Sequence, residues 1–335
     1  MDFLALIDKI KRRIRGVVVV RMRYSLAYKY LYRSYWHLLI CGCKNMDNAT
    51  VQYYSARPNP GAGIGHQISN WNSGFWWAKQ FNLNFAHLPF ADPSWENFLG
   101  FGINEIKVSE LVKKEGYKTR RLPKFDGDNE NEIRIQCNII SSYAGKKIVF
   151  IAEQDQRYHD QYGVMEDMKR KFFTAPARED DNLIYDRGCF NIAIHVRRGD
   201  IMKNPNSPVY KIRYISNDYY SKVLNSVLNI IKTKKDVHIY FFSQGSADDF
   251  PEFKSFNNLH WCFDMSAQQS FLHMVYADLI ITSKSSFSYK PALLNSGIKI
   301  CPKNFWHSYP SSFDWILCDD RGNFISSDIC LRDCN

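Results

Sequence analysis

From residue 191 onward the chain alternates short apolar runs with amphipathic stretches, a rhythm that few folds accommodate. Ile192–His195, Val237–Ser243, Leu259–Phe263, Asp278–Thr282 and Ile298–Pro302 are rich in β-branched or aromatic residues, and short enough for buried strands. Helix-like segments lie among them. In the first, Ser216 or Asn217 can cap a helix whose Tyr220, Val223, Leu224, Val227 and Leu228 share one face. Ala267–Ala277 forms a second, and a third runs from the serine-rich stretch after Thr282 to Asn295, where Gly297 stops it. Strands that alternate with helices in this way predict a doubly wound, parallel α/β sheet.

In such sheets ligands bind outside the carboxyl ends of the strands, so the residues that leave each strand carry the functional information. The first strand runs straight into charge, as Asn191-Ile-Ala-Ile-His-Val-Arg-Arg-Gly-Asp200. An arginine offers a planar fork of donors that suits phosphate oxygens. The next strand ends in Ser243-Gln-Gly245, and the strand Asp278–Thr282 runs into Ser283-Lys-Ser-Ser-Phe-Ser288 at a helix start. Arg197 and Arg198 facing Ser285, Ser286 and Ser288 would cradle a diphosphate. The serines also suit plain N-capping, with no ligand.

The first half of the chain reads as a second α/β region. A strand over Val51–Ser55 is followed by Gly61-Ala-Gly63-Ile-Gly65-His66-Gln67 and an apolar helix to about Phe81. A strand, a glycine-rich turn and a helix aim backbone N–H groups at an anion or a sugar. The third glycine of a dinucleotide fingerprint is missing, and a tight turn alone would also explain the glycines. Lys147–Ala152 is a further strand, residues 113–131 read as polar and exposed, and Arg178–Asn182 marks the expected domain boundary. The expected organisation is a basic N-terminal segment over 1–46, a first α/β domain over 47–182, a second, Rossmann-like α/β domain over 183–310 and a tail over 311–335.

Charge narrows the partners. Residues 1–44 hold ten basic side chains against Asp2 and Asp8, which accounts for eight of the net +10 and leaves the body nearly neutral. Nucleic acid is therefore not an expected partner. Arginines interrupt every apolar run in 1–44, so no stretch approaches the ~20 residues that span a bilayer, and a cleavable signal is a poor fit. The pattern suits helices lying on an anionic membrane surface, or a basic helix packed on the domain. The nine cysteines are scattered without a CxxC pair. That argues against zinc and for a reducing compartment, with a disulfide among Cys318, Cys330 and Cys334 as the alternative.

His195-Val-Arg-Arg-Gly-Asp200, Asp218-Tyr-Tyr220, Ile239-Tyr-Phe-Phe-Ser243 and Ala277-Asp-Leu-Ile-Ile-Thr-Ser-Lys-Ser-Ser-Phe-Ser288, in that order, resemble the motif set of the GDP-fucose-dependent α-1,2- and α-1,6-fucosyltransferase superfamily. Gly63-Ile-Gly-His-Gln67 resembles the Gly-x-Gly-Asn-Gln turn of the α-1,2 members. The resemblance covers roughly residues 57–305. It implies a GT-B enzyme, with two Rossmann-like domains facing a central cleft, that is inverting and metal-independent and uses no cofactor. The enzyme would move L-fucose from GDP-fucose to a sugar hydroxyl of a glycan, such as a lipid-linked bacterial surface polysaccharide at the inner face of a membrane.

Under that resemblance Arg198 clamps the β-phosphate, Arg197 supports it, His195 lines the donor site and the Ser285–Ser288 turn meets the diphosphate, with Ser243, Gly63 and Gly65 beside it. The sequence also departs from the family. Ser270 stands where many members have an aspartate near the guanine, which leaves Asp264 as the expected substitute, and His66 replaces the asparagine of the glycine turn. The general base must reach the acceptor hydroxyl. Asp200 is the expected base, with His66 and Glu153 behind it, and Asp200 suits a structural pairing with Arg197 equally well. Two other readings stand beside this one: a GT-B transferase for another nucleotide sugar, and a non-catalytic, membrane-associated binding protein.

Overall fold

A computed structural model describes residues 3–45, 50–59, 61–153, 156 and 158–325, with only the backbone for 3–6 and 8–13. The chain parts into two compact units: residues 1–59, 70–91 and 104–158, and residues 60–69, 92–103 and 159–335. Each unit has a parallel sheet of its own with helices around it, the two-sheet α/β architecture that the strand pattern predicts. The stretch Arg178–Asn182, expected as the boundary, lies within the second unit. There Arg178 donates to the Phe98 carbonyl at 3.0 Å and stacks 4.0 Å above the Phe172 ring.

The first sheet holds β1 (Tyr53–Ala56), β2 (Asn84–Phe85), β3 (Lys118–Arg121) and β4 (Ile148–Ala152) in the order β2-β1-β4-β3. β4 is buried along its whole length, which is why its continuous apolar run reads clearly as a strand. β3 is the opposite case. Lys118-Thr-Arg-Arg121 falls inside the polar stretch expected to be exposed, and it forms an edge strand whose charges keep that edge soluble. The basic N-terminal residues belong to this unit, as a helix over Phe3–Met22, a 3-10 turn over Tyr28–Leu31 and a helix over Arg33–Cys41.

The second sheet holds β5 (Phe190–His195), β6 (Val237–Phe242), β7 (Leu259–Trp261), β8 (Leu279–Ile281), β9 (Ile298–Pro302) and β10 (Trp315–Cys318) in the order β10-β9-β8-β5-β6-β7. β10 lies in the stretch expected as a tail and pairs with β9 from Trp315↔Lys299 to Cys318↔Pro302. Cys318 is a buried free thiol on that strand, while Cys330 and Cys334 lie outside the described residues.

The chain runs outward from β5 to β6 and β7, then crosses back to β8 on the other flank of β5. β5 pairs with β6 up to His195↔Phe242 and with β8 up to Ile194↔Ile281. Strand order therefore reverses between β5 and β8, and the carboxyl ends at that reversal open the crevice where such sheets bind ligands. The helix Asn217–Ile230 covers one face with Tyr220, Val223, Leu224 and Val227, all fully buried against Ile192, Ile194, Ile239 and Phe241. Its cap is Ser216, whose hydroxyl accepts from the Tyr219 N–H, so the Asn217 amide is left for another task.

Candidate active site

A cavity of about 350 Å³ opens at the carboxyl ends of β5 and β6, and every residue lining it belongs to the second unit. His195, Arg197 and Arg198 come from the end of β5, Phe242, Ser243 and Gln244 from the end of β6. Gly63 and Ile64 enter from the glycine turn, Trp95, Phe263, Met265 and Phe287 supply apolar and aromatic surface, and Ser270 adds a hydroxyl. One end is cationic and the rest largely aromatic, a composition that suits a nucleoside diphosphate in both size and chemistry.

Arg198 is the best-positioned cation. It is only 8% exposed, yet its partners are neutral. It donates through Nη1 to the Arg197 carbonyl at 2.8 Å, and through Nη2 to the Ile215 carbonyl at 3.1 Å and to Asn217 Oδ1. The guanidinium lies 4.7 Å from the centre of the Tyr214 ring. Asn217 is itself held, donating to the Asp249 carbonyl at 2.9 Å and to Glu252 at 3.1 Å. No carboxylate among the described residues pairs with Arg198, so its charge stays available. Its Nε–H and one Nη1–H have no bond among the described residues. A rigid cation with spare donors at a strand end is what a developing phosphate charge requires.

Arg197 is arranged differently. Its Nη2 donates to Asp200 Oδ1, while its Nε is buried without a partner. An orphaned buried N–H is costly, and a ligand oxygen in the adjoining cavity would satisfy it. Burial pushes this guanidinium below its ordinary pKa; Asp200 opposes that and Arg213 adds to it. Gly199 makes the turn after the arginines, at φ +71°, where a side chain would also run into the Gln244 amide.

His195 is buried, and its Nδ1 lies 2.8 Å from Ser283 Oγ at the end of β8, so the hydroxyl joins the two strands across the sheet reversal. Burial pushes its pKa down to about 3, with the Arg197 charge adding to the effect. The ring is therefore neutral near pH 7. His307, also in this unit, is pushed down to about 2 by burial, with Lys290 contributing. An unfolded chain binds protons at both histidines below ~6.5, whereas the native protein does not. Stability should therefore be complete above that pH and fall as the pH drops toward about 3. Thermal unfolding followed from about pH 7 to about pH 4 should show this decline, and His195→Gln should make it shallower.

The serine-rich turn plays another part. Ser285 caps the helix Ser286–Leu294 by accepting from the Phe287 N–H at 3.2 Å, and the buried Ser288 Oγ accepts from the Ser283 N–H at 3.1 Å. None of Ser285, Ser286 and Ser288 lines the cavity; Phe287 does. Gly65 packs directly on this helix start, where a Cβ would sit 2.6 Å from the Ser286 carbonyl carbon. Asp264 is exposed and outside the lining, while Ser270 is within it. His66 lies in the first turn of the helix Ile64–Gln80, outside the lining. Glu153 is committed elsewhere. It belongs to the first unit and accepts from Arg15 at 2.5 Å, and burial pushes its pKa up against the Arg15 charge.

The sequence gives no hint of Trp95, which the helix Pro93–Leu99 brings to the cavity from far upstream, or of Tyr214 beneath Arg198. Asn217 was legible only as an alternative cap. No protein-family model matches this chain, and no curated protein matches it by sequence. Similar solved structures do exist. NodZ α-1,6-fucosyltransferase co-crystallised with GDP has a TM-score of 0.47 at 13% identity, covering 83% of this chain and 98% of that one. POFUT1 in complex with GDP has a TM-score of 0.43 at 12% identity, covering 76% and 97%. Fucosyltransferase NodZ from Bradyrhizobium has a TM-score of 0.44 at 11% identity, covering 74% and 94%. The similar structures are fucosyltransferases. At such scores the likeness is one of fold alone, and the chemistry of this site stands on its own residues.

Proposed function

We propose that this chain is an inverting glycosyltransferase that moves L-fucose from GDP-fucose to a sugar hydroxyl of a glycan, in the manner of α-1,2-fucosyltransferases. The acceptor is a surface polysaccharide and the place of action the inner face of a membrane. The observation that carries the reading is Arg198, held rigidly at the end of β5 with no acidic partner among the described residues, beside the orphaned Nε of Arg197.

In the proposed reaction the acceptor oxygen attacks C1 of fucose from the face opposite the diphosphate, and the C1–oxygen bond to the β-phosphate breaks. The electron pair leaves on the phosphate, where Arg198 and Arg197 meet the new charge, while the acceptor proton passes to a base. No metal enters this scheme, because fixed cations stabilise the leaving group. The neutral His195 can donate to or accept from the donor without adding charge. Asp200 is the proposed base, and the aromatic surface of Trp95, Phe263 and Phe287 the proposed seat of the nucleoside. Incubation with GDP-fucose and a panel of glycans should yield transfer, or slow donor hydrolysis without an acceptor. Activity with UDP- or dTDP-sugars alone would instead favour a different donor, which Ser270 in the lining would permit.

A further inference from the structure

The N-terminal residues turn several polar side chains inward and leave several large apolar ones exposed. Arg15 and Arg23 point into the first unit, Arg15 to Glu153 and Arg23 to Glu132 at 3.4 Å. Tyr28 and Tyr32 are buried there, Ser34 donates to the Arg121 carbonyl at 2.6 Å, and His37 stacks 3.7 Å from Tyr143. The outward side carries the apolar groups. Ile14, Val17 and Val20 are exposed at intervals of three on the helix Phe3–Met22, and Trp36, Leu39 and Ile40 on the helix Arg33–Cys41. Each set forms a stripe along one face. Between the helices Tyr24 is 90% and Leu26 96% exposed, higher than any other large apolar residue described.

So many large apolar side chains left exposed within one short segment mark an interaction site. The charge says what they meet. From residue 9 to residue 46 the chain has ten cations and no acidic residue. Arg21, Lys29, Arg33 and Lys44 have no carboxylate partner among the described residues. No helix among the described residues is long and apolar enough to cross a membrane. Apolar stripes, aromatics at Tyr24, Tyr30 and Trp36, and unpaired cations with no intervening acid match the layers of a bilayer interface: acyl boundary, headgroup level and phosphate.

We propose that residues 14–40 form a rigid docking surface for a leaflet rich in anionic phospholipid, with the Tyr24–Leu26 turn as its deepest point. The surface uses none of the cavity residues, so it stands or falls apart from the donor reading. The full chain should co-sediment with vesicles of phosphatidylcholine and phosphatidylglycerol in equal parts, and far less with phosphatidylcholine alone. Tyr24→Ser combined with Leu26→Asp should weaken that partitioning at least tenfold. Replacing Arg21, Lys29 and Arg33 together by alanine should weaken it about a hundredfold. All five positions are exposed or half-exposed, and unchanged thermal unfolding of each variant would show the fold to be intact. Equal binding to both vesicle types, or binding that survives both sets of changes, would overturn the proposal. So would a self-associated chain that ignores vesicles and becomes monomeric on Leu26→Asp, which would assign the face to a second copy.

Discussion

Replacing Arg198 by alanine should lower the kcat/KM for fucosyl transfer by about a thousandfold or more, because one fixed donor facing leaving-group charge contributes on this scale in other enzymes. The loss should not come from unfolding alone. Truncation leaves the Ile215 carbonyl and the Asn217 amide without their buried partner, a cost of ~1–3 kcal/mol that most folded proteins survive. Arg198→Lys separates the two effects. A lysine restores a charge at this position but has no planar fork to bond Ile215, Asn217 and a phosphate oxygen together. Activity should recover only in part. Turnover of GDP-fucose by purified variants, with thermal unfolding as a control, measures both, and a fully active Arg198→Ala would remove the assigned role.

The second large effect concerns Asp200. If its carboxylate takes the acceptor proton, Asp200→Asn should lower kcat about 10²- to 10⁴-fold with GDP affinity nearly unchanged. The contact with Arg197 gives a competing expectation. A carboxylate that only orients Arg197 would, on neutralisation, loosen the diphosphate contact, so GDP affinity and kcat would fall together and modestly. The two roles therefore separate in a comparison of binding with turnover. Loss of kcat alone supports the base, and a matched small loss in both assigns Asp200 to positioning.

How far the site was legible follows from the range of the interactions involved. β5, β6, β8 and β9 are short, mostly apolar runs bounded by polar turns, so local composition locates them, and the strand ends that carry His195, Arg197, Arg198 and Ser243 come with them. β3 could not be read this way, because its Lys-Thr-Arg-Arg composition is that of a solvated turn and only pairing with β4 makes it a strand. The serines after β8 are ambiguous in sequence because capping and phosphate binding call for the same residues. In the structure Ser285 and Ser288 are engaged with backbone N–H groups, and the surface they offer the cavity is Phe287. Trp95 reaches the cavity through long-range packing on Phe271, at 5.7 Å, which no periodicity records.

The same distinction separates Arg197 from Arg198. Adjacent in sequence, they are chemically equivalent until the loop that follows places Asp200 beside one and the Ile215 carbonyl and Asn217 beside the other. One is partly neutralised, and the other keeps its charge for a ligand.

The most direct measurement is calorimetric titration of GDP into the wild-type chain and into Arg198→Ala, with UDP and dTDP as comparison nucleotides. Saturable binding of GDP to the wild type is expected, with weaker binding of the other two and a loss of about ten- to a hundredfold in the variant, the scale of a hydrogen bond to a charged group. GDP that fails to bind the wild type, or that binds Arg198→Ala equally well, would contradict this expectation.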